Sequence, residues 1–248
     1  MKAKYILVRE TASTNTYLSG VKNVLPNGSV VYTTNQTAGR GQRGNSWESE
    51  PGKNITFSLL LKGLTLPAKE QFYISEAVSL AIVKVLSRYA EGFSIKWPND
   101  IYYYDSKICG ILIENTLLGS TISHSVAGVG LNVNQEKFLS DAPNPISLFN
   151  ILGSETDCET ILREIGDRIF SKAQILFGDI DRSKLTELHK GYLENLYRKD
   201  DEFYKFRLPD GTEYEAKIID VAPDGMMTVE YRNGEVKGYY FKEIAFVI

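Results

Sequence analysis

Four short segments carry side chains whose types and spacing suit chemistry on an anion. Gly39-Arg40-Gly41-Gln42-Arg43-Gly44 sets two guanidiniums among three glycines, and the backbone N–H groups and Arg forks of such a loop can close over a carboxylate or phosphate. Lys96-Trp97-Pro98-Asn99-Asp100 gathers a cation, an aromatic plate, an amide and a carboxylate on a turn, because Pro98 disfavours helix at Trp97. Ser106-Lys107-Ile108-Cys109-Gly110-Ile111-Leu112 places one lysine at the start of an apolar strand, with Gly110 admitting close approach by a ligand or another backbone. Gly128-Val129-Gly130-Leu131-Asn132-Val133-Asn134 combines glycines with an amide in a similar strand. Taken singly, each segment also has a plainer reading: a solvated turn, a capped turn, a gatekeeping lysine on an edge strand, and a bulge.

The first segment matches G-x-G-x-x-G literally, but its context excludes a dinucleotide site. The required helix should open inside the motif, whereas 45–52 has no apolar period and ends in Pro51-Gly52; Leu59, not an acid, stands about 20 positions on. A kinase glycine loop fails too, since the chain has no His-Arg-Asp and no Asp-Phe-Gly element.

The elements that must position these groups can be read from periodicity. Strands are expected at 4–8, 29–35, 54–61, 93–96, 101–104, 108–115 and 121–133. Ser13-Thr14-Asn15 offers N-capping side chains to a short helix running toward Gly20. Pro67 suits an early position of a long core helix carrying Phe72, Ala77, Val78, Leu80, Ala81, Val83, Val85 and Leu86. The 36–53 stretch reads as a long glycine-rich surface loop. Two helices follow at 157–176 and 181–197, the first capped by Asp157. The strands lack enough intervening helices for repeated parallel crossovers, so the fold class is α+β with a mixed, largely antiparallel sheet and packed helices. Beyond Lys199, Pro209-Asp210-Gly211, Pro223-Asp224-Gly225 and Asn233-Gly234 punctuate short strands, which predicts a small all-β barrel. Two domains are expected, 1–199 and 200–248.

The 28 basic and 31 acidic residues leave a net charge of −3, so no global positive field would hold a phosphate backbone. Residues 200–248 contain eleven acids and six bases, −5, leaving +2 for the first 199. DNA is therefore not expected as a partner. No stretch is long and apolar enough for a membrane span. Cys109 and Cys158 lack zinc or disulfide spacing, and His124 and His189 lie far apart without ligand-type spacing. No metal ligands are assigned, and a reducing cytoplasm is the expected location.

Together and in order, Ser13-Thr14-Asn15, 36–47, 96–100, Lys107 with Gly110-Ile111-Leu112, and 128–132 resemble the biotin protein ligase family. The motifs span about residues 5 to 134. The resemblance implies a class II synthetase-like catalytic domain followed by an SH3-like β-domain. It implies activation of biotin by ATP to biotinyl-5′-AMP, with Mg²⁺ on the phosphates, then transfer to a lysine of a biotin carboxyl carrier protein. No covalent enzyme intermediate is implied; attack of one anion on another needs fixed positive charge rather than a protein nucleophile.

By the same resemblance, Lys107, Arg40, Arg43 and Asp100 would be catalytic, Lys107 holding the biotin carboxylate. For Asp100 two roles stand open, orienting Lys107 and helping to remove the acceptor proton. Ser13, Thr14 and Gln36 would bond the ureido group, with Asn15 positioning the loop. Gly39, Arg40, Gly41, Gln42, Lys107, Gly110 and Gly128 would complete the biotin seat. Trp47 would stack on adenine, with Asn99, Asn132 and Arg43 on the nucleotide side. The sequence departs from the family at Gln42, where many members carry a basic residue associated with retention of the acyl-adenylate. It also starts its first catalytic strand at about residue 4, without the winged-helix DNA-binding domain of bifunctional members. The family includes dimers, so a homodimer is compatible.

Two rivals remain at this level. A lipoate or octanoate protein ligase shares the fold and modifies a carrier lysine, although octanoyl transfer would need an activated cysteine. A non-catalytic biotin-binding module is the other, against which the charge of Arg40, Arg43 and Lys107 counts.

Overall fold

The computed structural model describes residues 2–140 and 143–248, apart from the side chain of Arg43. In chain order the elements are β1 (Lys4–Leu7), β2 (Glu10–Thr11), α1 (Thr14–Val21), β3 (Ser29–Thr33), β4 (Asn35–Gln36), β5 (Ile55–Lys62), α2 (Phe72–Leu86), β6 (Phe93–Lys96), β7 (Asp100–Tyr103), β8 (Ser106–Leu118) and β9 (Thr121–Leu131). There follow α3 (Leu148–Leu152), α4 (Cys158–Lys172), α5 (Arg182–Glu194), β10 (Tyr204–Arg207), β11 (Glu213–Val221), β12 (Met227–Tyr231), β13 (Val236–Tyr239) and β14 (Ala245–Phe246).

A seven-stranded sheet in the order β1-β3-β5-β9-β8-β7-β6 organises the first part, and only its β1–β3 ladder is parallel. The mixed, largely antiparallel expectation holds. Strand alternation explains the layering. In β5, Phe57, Leu59 and Leu61 point into the large core with α2, whereas Leu60 joins Leu18, Val31 and Val126 in a smaller cluster beneath α1. The run Ile55–Leu61 is apolar almost throughout because both faces are covered. The helix α2 is buried nearly all round, as an internal helix must be. It packs on α4 and α5. Ile161, Ile165 and Ile169 give α4 a single buried stripe, and Asp157 caps it by accepting from Glu159 N at 3.0 Å.

The structure differs from the sequence reading at several boundaries. Pro67 caps a 3₁₀ turn over Ala68–Glu70, and α2 opens only at Phe72, whose N–H donates to Pro223 O at 3.0 Å. Of Ser13, Thr14 and Asn15, only Ser13 caps α1; the other two lie inside the helix and turn toward the sheet. The helix expected at 157–176 ends at Lys172 and tightens into a 3₁₀ turn over Ala173–Leu176. After α5 the chain adds beside β6, with Ile95 N donating to Asn195 O and Tyr197 N to Ile95 O, both at 2.8 Å. The helix α3 was not anticipated; Ser147 and Asn150 form its capping box and Gly153 ends it at φ 70°.

Residues 204–246 form a five-stranded antiparallel sheet ordered β13-β12-β11-β10-β14. Its turns fall where the Asp-Gly and Asn-Gly pairs stand, with Gly225 at φ 97°, a conformation that favours glycine. Among the described residues β13 and β14 are the unpaired edges, so the ladder is open rather than a closed barrel. The Pro223–Gly225 turn meets the larger part directly, Trp97 Nε1 donating to Gly225 O at 3.0 Å.

Candidate active site

A pocket of about 280 Å³ opens on the α1 face of the large sheet. Its floor is glycine. Gly110 of β8 and Gly130 of β9 are register partners, as are Leu112 and Gly128, and all four line the pocket. The close approach expected at these glycines is made by the protein's own side chains. A Cβ at Gly130 would stand 2.3 Å from Trp47 Cε2, one at Gly110 2.8 Å from Trp47 Cζ3, and one at Gly128 2.2 Å from Asn15 Oδ1.

The end beside α1 is polar, lined by amides and hydroxyls with the Arg40–Glu114 ion pair beside them. Gln36 Oε1 accepts from Thr14 N at 3.0 Å and from Thr14 Oγ1 at 3.4 Å. Ser58 Oγ, fully buried on the pocket face of β5, lies 2.8 Å from Thr14 Oγ1 and 2.5 Å from Asn15 Oδ1. Asn15 Nδ2 donates to Leu112 O at 3.1 Å and Glu114 Oε2 at 2.9 Å, pinning α1 to β8. Ser58 and Glu114 were missed in the sequence, though alternation from Gly110 through Leu112 puts Glu114 on the same face.

The loop over this end is folded rather than open. Asn35–Gln36 pairs in parallel with Glu10–Thr11, and Arg40 bridges Ser46 across a hairpin whose tip is the 3₁₀ turn Gln42–Gly44. Trp47 N donates to Gly39 O at 3.0 Å, and Gly41 N to Asn45 O at 2.6 Å. Arg40 Nη2 donates to Glu114 Oε1 and Oε2 at 3.0 and 3.1 Å. The side chain of Arg43 lies outside the described residues.

The other end is charged. Lys107 Nζ pairs with Asp100 Oδ1 at 2.7 Å, both sides partly exposed to the pocket, and Nζ stands 5.7 Å from the Trp47 ring. Lys96 adds a second cation over the rings of Tyr102 and Phe246, at 4.9 and 5.1 Å. Burial lowers its pKa from the usual lysine value, with Asp100 opposing and Lys107 adding to the shift. The C-terminal sheet contributes Phe241, Lys242, Ile244, Ala245 and Phe246 to this wall, none of which the motifs indicated.

Two residues expected on the nucleotide side bond to the protein's own backbone. Asn99 lines the pocket, yet its Nδ2 donates to Ile111 O at 2.6 Å and its O accepts from Ile111 N at 2.9 Å. Asn132 lies outside the pocket lining, just past β9, with Nδ2 donating to Ile146 O at 3.0 Å to hold the 146–148 segment. Trp97 is buried and serves as a strut to Gly225. The cysteines are poor nucleophiles: burial drives Cys109 far above the usual thiol range and pushes Cys158 up to about 11. Among the described residues no cluster of three or more His, Cys, Asp or Glu could hold a metal, and no helix is long and apolar enough to cross a membrane.

The pocket thus has a glycine floor on a mostly antiparallel sheet, with hydrogen-bonded amides and hydroxyls at one end and the Lys107–Asp100 pair at the other. Residues 7–132, just over half of the chain, match the biotin/lipoate A/B protein ligase family model, and the chain belongs to that family. It is 34% identical over 122 residues to the bifunctional ligase/repressor BirA of Escherichia coli, covering 49% of this chain and 38% of that protein. It is 30% identical over 173 residues to the biotin–[acetyl-CoA-carboxylase] ligase of Mycobacterium tuberculosis, covering 66% and 63%. With the Bacillus subtilis BirA, 31% identical, it shares 58% of its own length and 45% of the relative's, so the chain aligns to less than half of several curated relatives. In fold it is similar to the Aquifex aeolicus biotin protein ligase solved with biotin and ATP, at TM-score 0.77, 22% identity and 98% of each chain. The Leishmania major ligase with biotinyl-5-AMP superposes at TM-score 0.65, 20% identical, over 96% of this chain and 98% of that one.

Proposed function

We propose that the protein is an ATP-dependent biotin protein ligase. The observation that carries the reading is one pocket with two chemically distinct ends separated along β8. Amide and hydroxyl groups of Thr14, Gln36, Asn15 and Ser58 meet at one end, and Lys107 with Asp100 stands at the other. Biotin has the same polarity, a neutral ureido head and an anionic carboxylate tail. Paired donors and acceptors suit the head, the apolar side chain of Leu112 suits the thiophane, and the Trp47 ring is left as the plate for adenine.

In the first step a biotin carboxylate oxygen bonds to the α-phosphorus of ATP and pyrophosphate leaves. Lys107 offsets the approach of two anions, while Asp100 holds its ammonium in place. Lys96 and Lys242 face the side where the nucleotide would lie, beside Phe241 and Phe246. Mg²⁺ would be held by the phosphate oxygens of ATP, where it would neutralise developing charge. In the second step a lysine amine of a biotin carboxyl carrier protein bonds to the acyl carbon and AMP departs. The reading extends to an SH3-like identity for the 200–248 sheet, a class II synthetase-like catalytic part over 1–199, a cytoplasmic site of action and no role for DNA.

The unreactive cysteines argue against octanoyl transfer through a thioester. Biotin-dependent exchange of labelled pyrophosphate into ATP, with lipoate as the control acid, tests the assignment. Exchange with biotin alone is expected; exchange with lipoate instead would move the chain to the sister activity, and exchange with neither would leave a binding module.

A further inference from the structure

A second cleft adjoins the pocket. It has a volume of about 240 Å³, lies between the start of α2 and the Pro223–Gly225 turn, and shares Gln42, Trp97, Pro98 and Phe241 with the pocket. Phe72 and Tyr240 extend its aromatic wall. Two polar atoms on it are buried with no partner, Gln42 Oε1 at the neck and Asn115 Oδ1 further out. Both are acceptors. The amide nitrogen of Asn115 is already committed to Gln71 Oε1 at 3.2 Å, which leaves its oxygen as the unmet group.

Asp224 also lines the cleft, accepting from Tyr240 Oη at 2.8 Å and from Met226 N at 3.0 Å. Among the described residues no lysine or arginine lines it. Buried acceptors and a carboxylate, walled by aromatic rings and lacking a cation of their own, fit a group that only donates, carries positive charge and rides on a slim apolar stem. That describes a lysine side chain.

We propose that this cleft is the passage by which the acceptor lysine of the carrier protein reaches the activated acyl group, a reading that rests on the ligase assignment. Its stem lies along Phe72, Trp97 and Phe241, and its nitrogen passes from Asn115 Oδ1 to Gln42 Oε1. The ammonium gives one proton to solvent; the amine nitrogen then bonds to the acyl carbon, the C–O bond to AMP breaks with its electron pair on AMP, and the nitrogen loses a second proton to water. The two substrates of transfer would thus enter through different mouths.

The test uses the full chain with Ser75→Trp, which would obstruct the cleft beside Phe72, and Asn115→Leu, which removes the acceptor. Three rates are compared: biotin-dependent pyrophosphate exchange, trapping of the activated biotin by hydroxylamine, and transfer to a purified unmodified biotin carrier domain. Exchange and hydroxylamine trapping should stay at the unsubstituted rate, while kcat/KM for the carrier falls about tenfold or more. Transfer at the unsubstituted rate in both variants would overturn the passage. So would loss of exchange in parallel with transfer in both, since the cleft would then belong to activation. Absence of exchange in the unsubstituted chain would sink the ligase assignment itself, and the passage with it.

Discussion

Lys107 and Asp100 form a 2.7 Å ion pair between neighbouring strands β8 and β7, with Asp100 registered opposite Gly110 rather than opposite Lys107 itself. The lysine side chain therefore leans along its strand toward the glycine floor, and its Cε comes within 3.5 Å of where a Gly110 Cβ would be. Lys107→Ala should lower biotin-dependent pyrophosphate exchange by about a hundredfold or more, since it removes the main fixed charge at the reacting end. Asp100→Asn should cost less, because the cation stays and only its aim is lost. Near-native exchange in Lys107→Ala, with circular dichroism unchanged, would remove Lys107 from the chemistry.

Gly130→Ala should damage the pocket with little effect on the sheet. The added methyl meets the Trp47 indole, which must lift from the floor, and such overpacking costs about 1–3 kcal/mol. A shift in tryptophan fluorescence together with a raised KM for ATP is the expected pair of readouts. The same substitution at Gly119, a hairpin tip at φ 62° with open space around it, should leave both unchanged apart from the local backbone penalty.

Replacing Gln42 by arginine should slow release of the acyl-adenylate. Gln42 lines the pocket and its Oε1 is buried without a partner, so the native side chain offers the phosphate little, whereas a guanidinium forks onto phosphate oxygens. Stopped-flow or filter-retention measurement of adenylate dissociation checks this; an unaltered off-rate would count against a phosphate-side position for residue 42.

Stability should depend on pH through His189. Its hydrogen bond to the buried Glu76 carboxylate at 2.7 Å is the main cause that raises its pKa from 6.5 to about 9; burial opposes the rise, and Asp220 at 2.9 Å reinforces it. A group protonated more readily in the folded state contributes fully below its unfolded pKa, and the contribution fades as pH rises through the folded value. The Tm of His189→Gln should thus lie below that of the unsubstituted protein at pH 6, with the gap narrowing above about pH 9. A gap independent of pH would show that the imidazole acts only by packing.

Much of this could be read in the sequence because it is local. The apolar runs in 54–61 and 121–131 and the cap at Asp157 each depend on near neighbours in the chain, and so do the hairpin turns at Gly211, Gly225 and Gly234. What escaped reading joins residues distant in sequence. Glu114 meets Asn15 and Arg40, His189 links α2 to β11, and 241–246 close the pocket from the far end of the chain. Asn132 belongs with these: its motif was recognisable, but the bond from its Nδ2 to Ile146 O was not.

The paired glycines beneath the pocket limit how the site could be redesigned. A floor made of main chain cannot adjust by changing rotamers, so its depth is set by the spacing of β8 and β9 and will not yield to a bulkier guest. The ceiling is another matter, since Trp47 belongs to a hairpin that reaches the sheet mainly through its indole and the Arg40–Glu114 pair. A site remodelled to admit a bulkier ligand would start by trimming Trp47, leaving Gly110 and Gly130 as they are.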